Sequence, residues 1–145
     1  MTGFIFCIIA GAAMSIQGVM NTRLGEGIGN MEANLLVQAS AAALSALALL
    51  FYRTGSFSKL GSVPWGYWLG GALGLVITLA VMLGIKALSP TVAISVILIA
   101  QLLVAAGIDA FGLMGSEKIS FGWTKYAGLA LMIGGVLLFK WKGHG

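Results

Sequence analysis

Five stretches of the chain are long, apolar and almost free of charge, near residues 3–22, 33–52, 65–85, 91–113 and 122–139. Short polar or glycine-rich segments separate them. A bilayer core is about 30 Å thick, and a helix needs about 20 apolar residues to cross it. Each stretch has roughly that length. The pattern therefore predicts an all-α integral membrane protein with five transmembrane helices, occupying residues 1–145 as a single transmembrane domain. The connections are too short to hold a soluble catalytic or binding domain.

The connections supply their own helix signals. In the first, Leu24 to Met31, Asn30 is a plausible N-cap and Glu32 falls in the following first turn, where a carboxylate complements the helix dipole. The second, Arg53 to Pro64, ends in a proline suited to the first turn of a helix starting near Trp65. Trp65, Tyr67 and Trp68 then fall at the headgroup level. Ser89 and Pro90 read as the cap and first residue of the fourth helix. Ser120 caps the fifth, with Trp123 and Tyr126 as interface anchors and Lys140, Trp141 and Lys142 at its far end. Small residues offer packing faces: Gly66, Gly70, Gly71 and Gly74 in helix three, an alanine-rich run from Ala39 to Ala48 in helix two, and Gly128, Gly134 and Gly135 in helix five. Such residues let membrane helices approach closely and predict a tight bundle.

Composition strengthens the membrane reading. The hydrophobic share is 59%, the charged share only 8%, and the mean hydropathy +1.03, whereas soluble domains are about 25% charged. The eight basic residues are scattered at helix ends, which is flanking-residue chemistry and excludes a nucleic-acid patch. No Lys or Arg precedes Arg23, so the first helix is expected to stay in the mature protein. Cys7, the single cysteine, is expected to be a packing residue.

Polar residues inside the apolar stretches carry the chemistry. Gln17 and Asn21 share one face of helix one, Asn34, Gln38 and Ser45 one face of helix two, and Gln101 and Asp109 are roughly aligned on helix four. Such rows suggest a lined cavity. The rise per residue puts Gln17 about 8 Å from the far side, Gln38 at a similar level, Gln101 near the midplane and Asp109 about 6 Å deep. For the amides, interhelical hydrogen bonding competes with substrate contact, evenly for Gln17 and Gln101, while for Asn34 and Gln38 the first is favoured. Asp109 is either an interface carboxylate reaching water, Lys118 or Lys125, or an ionisable group with an intramembrane role. Catalysis finds no support: there is no metal cluster, His144 is the penultimate residue, and Ser15, Ser40, Ser45 and Ser95 lack a base. No catalytic residue, metal or cofactor is expected.

Gly11, Gln17, Asn21 and Leu24, then Ala100-Gln101-Leu102-Leu103 leading to Ile108-Asp109-Ala110-Phe111-Gly112, and finally Gly128 with Gly134-Gly135, together resemble the five-helix YdcZ-type branch of the drug/metabolite transporter superfamily. Where that pattern often has a glycine before the glutamine and a histidine after the aspartate, this chain has Ala100 and Ala110. The resemblance implies a half-transporter in the bacterial cytoplasmic (inner) membrane, equivalent to one of two inverted repeats. Five spans begin and end on opposite sides, so a separate chain needs an inverted partner to complete the pathway.

Basic residues divide evenly between the two sides. Arg53, Lys59, Lys118 and Lys125 fall on one, and Arg23, Lys86, Lys140 and Lys142 on the other. Without a bias, orientation is unspecified. The expectation is a transporter subunit in the lipid bilayer that moves a small organic metabolite or drug by alternating access, as an antiparallel homodimer of dual topology. Gln101 is the first candidate for substrate contact, followed by Gln17, Asn21 and Gln38, with Asp109 for coupling or charge recognition. The alternatives are a proton-coupled small multidrug-type cation exporter and a non-transport scaffold or accessory membrane subunit.

Overall fold

The computed structural model describes residues 1–119 and 122–141. Among these the chain forms α1 (Thr2–Ile28), α2 (Asn30–Phe51), α3 (Gly70–Ala87), α4 (Pro90–Phe111) and α5 (Trp123–Lys140), with 3-10 turns at Phe57–Ser62, Trp65–Leu69 and Leu113–Gly115. The stretches Thr2–Ile28, Asn30–Phe51, Trp65–Ala87 and Pro90–Phe111 are long and apolar enough to cross a membrane, and Trp123–Phe139 is a shorter apolar helix. The all-α membrane architecture with about five helices is therefore as expected. The chain packs as two compact units, one comprising Met1–Lys86 and the other beginning at Ala87.

The first connection is not a loop. α1 continues through Arg23 to Ile28, and its added turn carries an ion pair from Arg23 Nη1 to Glu26 Oε2 of 2.9 Å, three residues apart. The break needs one residue only. Gly29 has φ 103° and ψ 146°, a conformation essentially confined to glycine. Its N–H donates to the Gly25 carbonyl at 3.0 Å, and its own carbonyl accepts from Ala33 at 3.0 Å. Gly29 is thus the N-cap of α2, and Asn30 is already helical, contrary to the expected cap. Glu32 does occupy the first turn. Its carboxylate lies where a Cβ on Gly29 would project. Measured from the new end at Ile28, Gln17 is eleven residues back, or about 16 Å.

Two other boundaries move. Residues 65–69 are 3-10 and the α-helix starts at Gly70; Pro64 precedes that turn instead of sitting in a helical first turn. Gly66, Gly70 and Gly71 make this stretch a weak helix former. At its far end α4 stops at Phe111 instead of residue 113, because Gly112 turns left-handed (φ 63°) and its N–H closes on the Ile108 carbonyl. Ser89 and Pro90 start α4 as expected, with Ser89 accepting from the Val92 N–H at 3.4 Å. α5 begins after Gly122; the expected cap, Ser120, lies outside the described residues.

The core of the first unit gathers at one end of its helices. It buries Gly18, Asn21, Thr22 and Gly25 of α1, Ala33 and Asn34 of α2, and Met82 and Ile85 of α3. α1 meets α3 through glycines seven apart: a Cβ on Gly18 would stand 3.0 Å from Ile85 Cδ1 and Val81 Cγ1, and one on Gly25 would stand 2.5 Å from Met82 Cε. The expected packing glycines behave differently. Gly74 alone of them meets a neighbour, Gln38 Nε2 at 3.3 Å, while Gly66, Gly70, Gly71, Gly128, Gly134 and Gly135 have nothing within 4 Å. The α2 alanines expected to pack are exposed, and so is Cys7. Within each unit these small-residue faces make fewer close contacts than their pattern suggests. The aromatic anchors Trp65, Trp68 and Trp123 are exposed, as lipid-facing residues would be.

Candidate functional site

In the first unit the two amides of α1 separate. Gln17 is exposed, while Asn21, one turn on, enters the buried patch beside Gly18, Thr22 and Gly25. Nearby, the Thr22 hydroxyl donates to the Gly18 carbonyl at 2.7 Å, so this buried hydroxyl is satisfied within its own helix. Asn21 is thus placed for helix packing, and Gln17 for a surface outside it.

An open cleft of about 360 Å³ runs along α2, lined by Met31, Glu32, Asn34, Leu35 and Gln38 of that helix and by Leu75 of α3. On α2 the positions 31, 34, 35 and 38 follow the three- and four-residue steps that make one stripe on a helix. Gln38 is half-buried with its Nε2 over Gly74, whose missing side chain leaves the carboxamide room. Asn34 is 3% exposed, and its Oδ1 is buried with no hydrogen-bond partner.

The second unit holds a larger cleft of about 500 Å³ between α4 and α5, lined by Leu102, Ala105, Ala106 and Asp109 from α4 and by Lys125, Gly128, Leu129 and Met132 from α5. Its walls are apolar, with one carboxylate and one ammonium as charged groups. Gly128 keeps the α5 wall low. Asp109 is half-buried, and its backbone carbonyl accepts the Ile119 N–H at 2.9 Å, which ties the following connection back to the end of α4.

Gln101 does not line this cleft and is exposed. The expected alignment with Asp109 fails on angle. Eight residues at about 100° each overshoot two turns by about 80°, whereas the seven from Leu102 to Asp109 return to within about 20°. Gln101 and Asp109 therefore belong to adjoining faces of α4.

The helix hydroxyls are used locally. Ser15 donates to the Gly11 carbonyl at 3.0 Å, Ser95 to Thr91 at 2.7 Å, Ser40 to Val37 at 2.9 Å and Thr78 to Gly74 at 2.9 Å. Two groups gain importance over the sequence reading. Asn34, expected with Gln38 to bond between helices, carries an unpartnered oxygen beside a cleft. Lys125, one of two lysines considered as a neighbour of Asp109, lines the same cavity. The signal for Lys125 was its place in the first turn of α5, since a short connection returns that turn to the end of α4.

Residues 2–138, from the start of α1 to near the end of α5, match the family described as "Putative inner membrane exporter, YdcZ". No curated protein and no solved structure matches the chain.

Proposed function

Because this chain belongs to the YdcZ-type family of inner membrane exporters and is a membrane transport protein, we propose that it moves a small organic molecule by alternating access as one half of an antiparallel homodimer. The observation that carries this reading is the state of its small and polar helix faces. A Cβ at Gly66, Gly70, Gly71, Gly128, Gly134 or Gly135 would meet nothing within 4 Å, and the Gln17 and Gln101 amides are exposed. Lipid tails give an amide no hydrogen-bond partner, and glycine faces are suited to close contact with another helix. A second copy supplies both. With five spans, a copy that completes an inverted pair lies upside down, and the even division of basic residues allows both orientations.

In this arrangement Gln101, Gln17 and Gln38 contact substrate, with Asn21 holding the helices that present them. Asp109 recognises charge or couples to protons from its cleft. A proton-coupled cation exporter is the second reading, and its support is the placement of the Asp109 carboxylate in an otherwise apolar cavity with Lys125. Screening small organic molecules for thermal stabilisation of the purified chain identifies binders, since a ligand of the folded state raises its stability by mass action. Proteoliposomes containing this chain alone then take up such a binder saturably. Absence of saturable uptake by reconstituted, folded protein would leave a scaffold or accessory role.

A further inference from the structure

We infer that the cleft between α2 and α3 binds a small uncharged organic molecule that places an N–H or O–H donor against the Asn34 and Gln38 carboxamides and an apolar body against Met31, Leu35 and Leu75. The first ground is the Asn34 oxygen. Asn34 is 97% buried by its 3% exposure, and its Oδ1 is the buried side-chain polar atom among the described residues that has no hydrogen-bond partner. Buried acceptors are nearly always matched, so an unmatched one marks a place for a donor that the chain itself does not supply. Asn34 borders the cleft, and its last side-chain torsion is broad and soft, so a partial turn brings the oxygen toward the cavity.

The second ground is the shape and composition of the cavity. Its volume of about 360 Å³ is within the range of small-molecule sites, which are mostly apolar with a few placed polar groups. Asn34 and Gln38 are one turn apart on one stripe of α2, and Gly74 opposite leaves space where a side chain would crowd the Gln38 amide. Charge selects against an ionic ligand. Glu32 is the one ionisable lining residue, and its carboxylate is turned back over Gly29 at the N-terminus of α2, where the helix dipole answers it. What remains for a ligand is a pair of neutral amides between hydrocarbon walls.

This site deepens the transport reading by giving a substrate class, and rests on that reading only for movement across the membrane. Binding is testable without transport. The full-length Leu75→Cys chain, retaining Cys7, is placed in nanodiscs and treated with a small methanethiosulfonate, and both thiols are followed by mass spectrometry. Cys7 is exposed and does not line the cleft, so it reports nonspecific effects of the probe. Hexanamide, which has the donor, should slow modification at position 75 severalfold and saturably while leaving Cys7 unchanged. N,N-dimethylhexanamide, which lacks the donor, should do so far less, and Asn34→Leu should remove the protection.

Equal protection by the two amides, protection that survives Asn34→Leu, or no protection by hexanamide would each overturn the inference. If Asn34→Leu does not fold, the comparison of the two probes on the chain with Asn34 intact decides alone. A protected chain that moves nothing in liposomes keeps the site and loses the transport reading. A chain that transports without protection loses the site only.

Discussion

The terminal methyl of Met82 on α3 fills the space in which a side chain on Gly25 of α1 would begin, 2.5 Å from the projected Cβ. Asn30 Oδ1 closes the same space at 2.7 Å, and Met82 is 1% exposed, so its end has little room to withdraw. Gly25→Ala should therefore cost about 1–3 kcal/mol, the usual price of overpacking. Gly11→Ala, where nothing lies within 4 Å, should leave stability unchanged or slightly higher. Thermal unfolding of the two variants in the same detergent checks the contrast, and equal melting temperatures would contradict close α1–α3 packing.

Gly29→Ala tests the one-residue joint. A side chain there must adopt φ 103° and displace the Glu32 carboxylate. The strain corresponds to about 1–3 kcal/mol. The variant should melt lower and be cut faster by protease between residues 28 and 31. Wild-type behaviour in both assays would mean that the break does not depend on this conformation.

These two glycines also show what the sequence conveyed. Hydrophobic run length located the helices because a membrane span must be long and apolar, and Ser89-Pro90 announced α4 through local chemistry confirmed by the Val92 contact. Within the expected connection Leu24 to Met31 only Gly29 is not helical, a distinction hidden in the sequence because its three glycines look alike in one dimension. In space Gly25 receives Met82, Gly27 has open surroundings and only Gly29 leaves the helical region. The alanines of α2 and the glycines of α3 and α5 show the converse, since a small-residue face does not say which neighbour, if any, it meets. At the candidate sites, spacing named Asp109 and the amides. The 80° offset of Gln101 and the unmatched Asn34 oxygen depend on helix phase and on neighbours distant in sequence.

Gln101→Ala should abolish saturable uptake of a substrate while leaving expression and oligomer mass nearly unchanged, because the side chain is exposed and contributes little packing. Uptake assays in proteoliposomes and mass measurement in detergent read the two properties separately. Normal transport by the variant would remove Gln101 from the pathway.

Asp109→Asn should preserve ligand binding but remove its pH dependence if the carboxylate couples to protons, since an isosteric amide exchanges none. Binding isotherms across a pH series, for both proteins, provide the measurement. The same pH dependence in the two would leave Asp109 as an interface carboxylate.

The balance of Arg53, Lys59, Lys118 and Lys125 against Arg23, Lys86, Lys140 and Lys142 predicts dual topology. Reporters active on only one side of the membrane, fused to the C-terminus, should both give substantial signal. Adding one or two lysines to either set should swing the ratio. Exclusive signal from one reporter in the unmodified chain would reject dual topology and require a different partner or a parallel assembly.

The Gly29 joint also limits how the first unit can move. One residue offers two soft torsions, and both of its backbone hydrogen-bonding groups are already engaged, one with each helix. There is no slack between α1 and α2: tilting either drags the end of the other, so the pair works as a single bent lever. Residues 52–69, by contrast, contain no α-helix and have the reach to let α3 travel on its own. Rearrangement of this unit is therefore a two-body problem, with the hinge after Phe51 and not at the glycine that looks most like one.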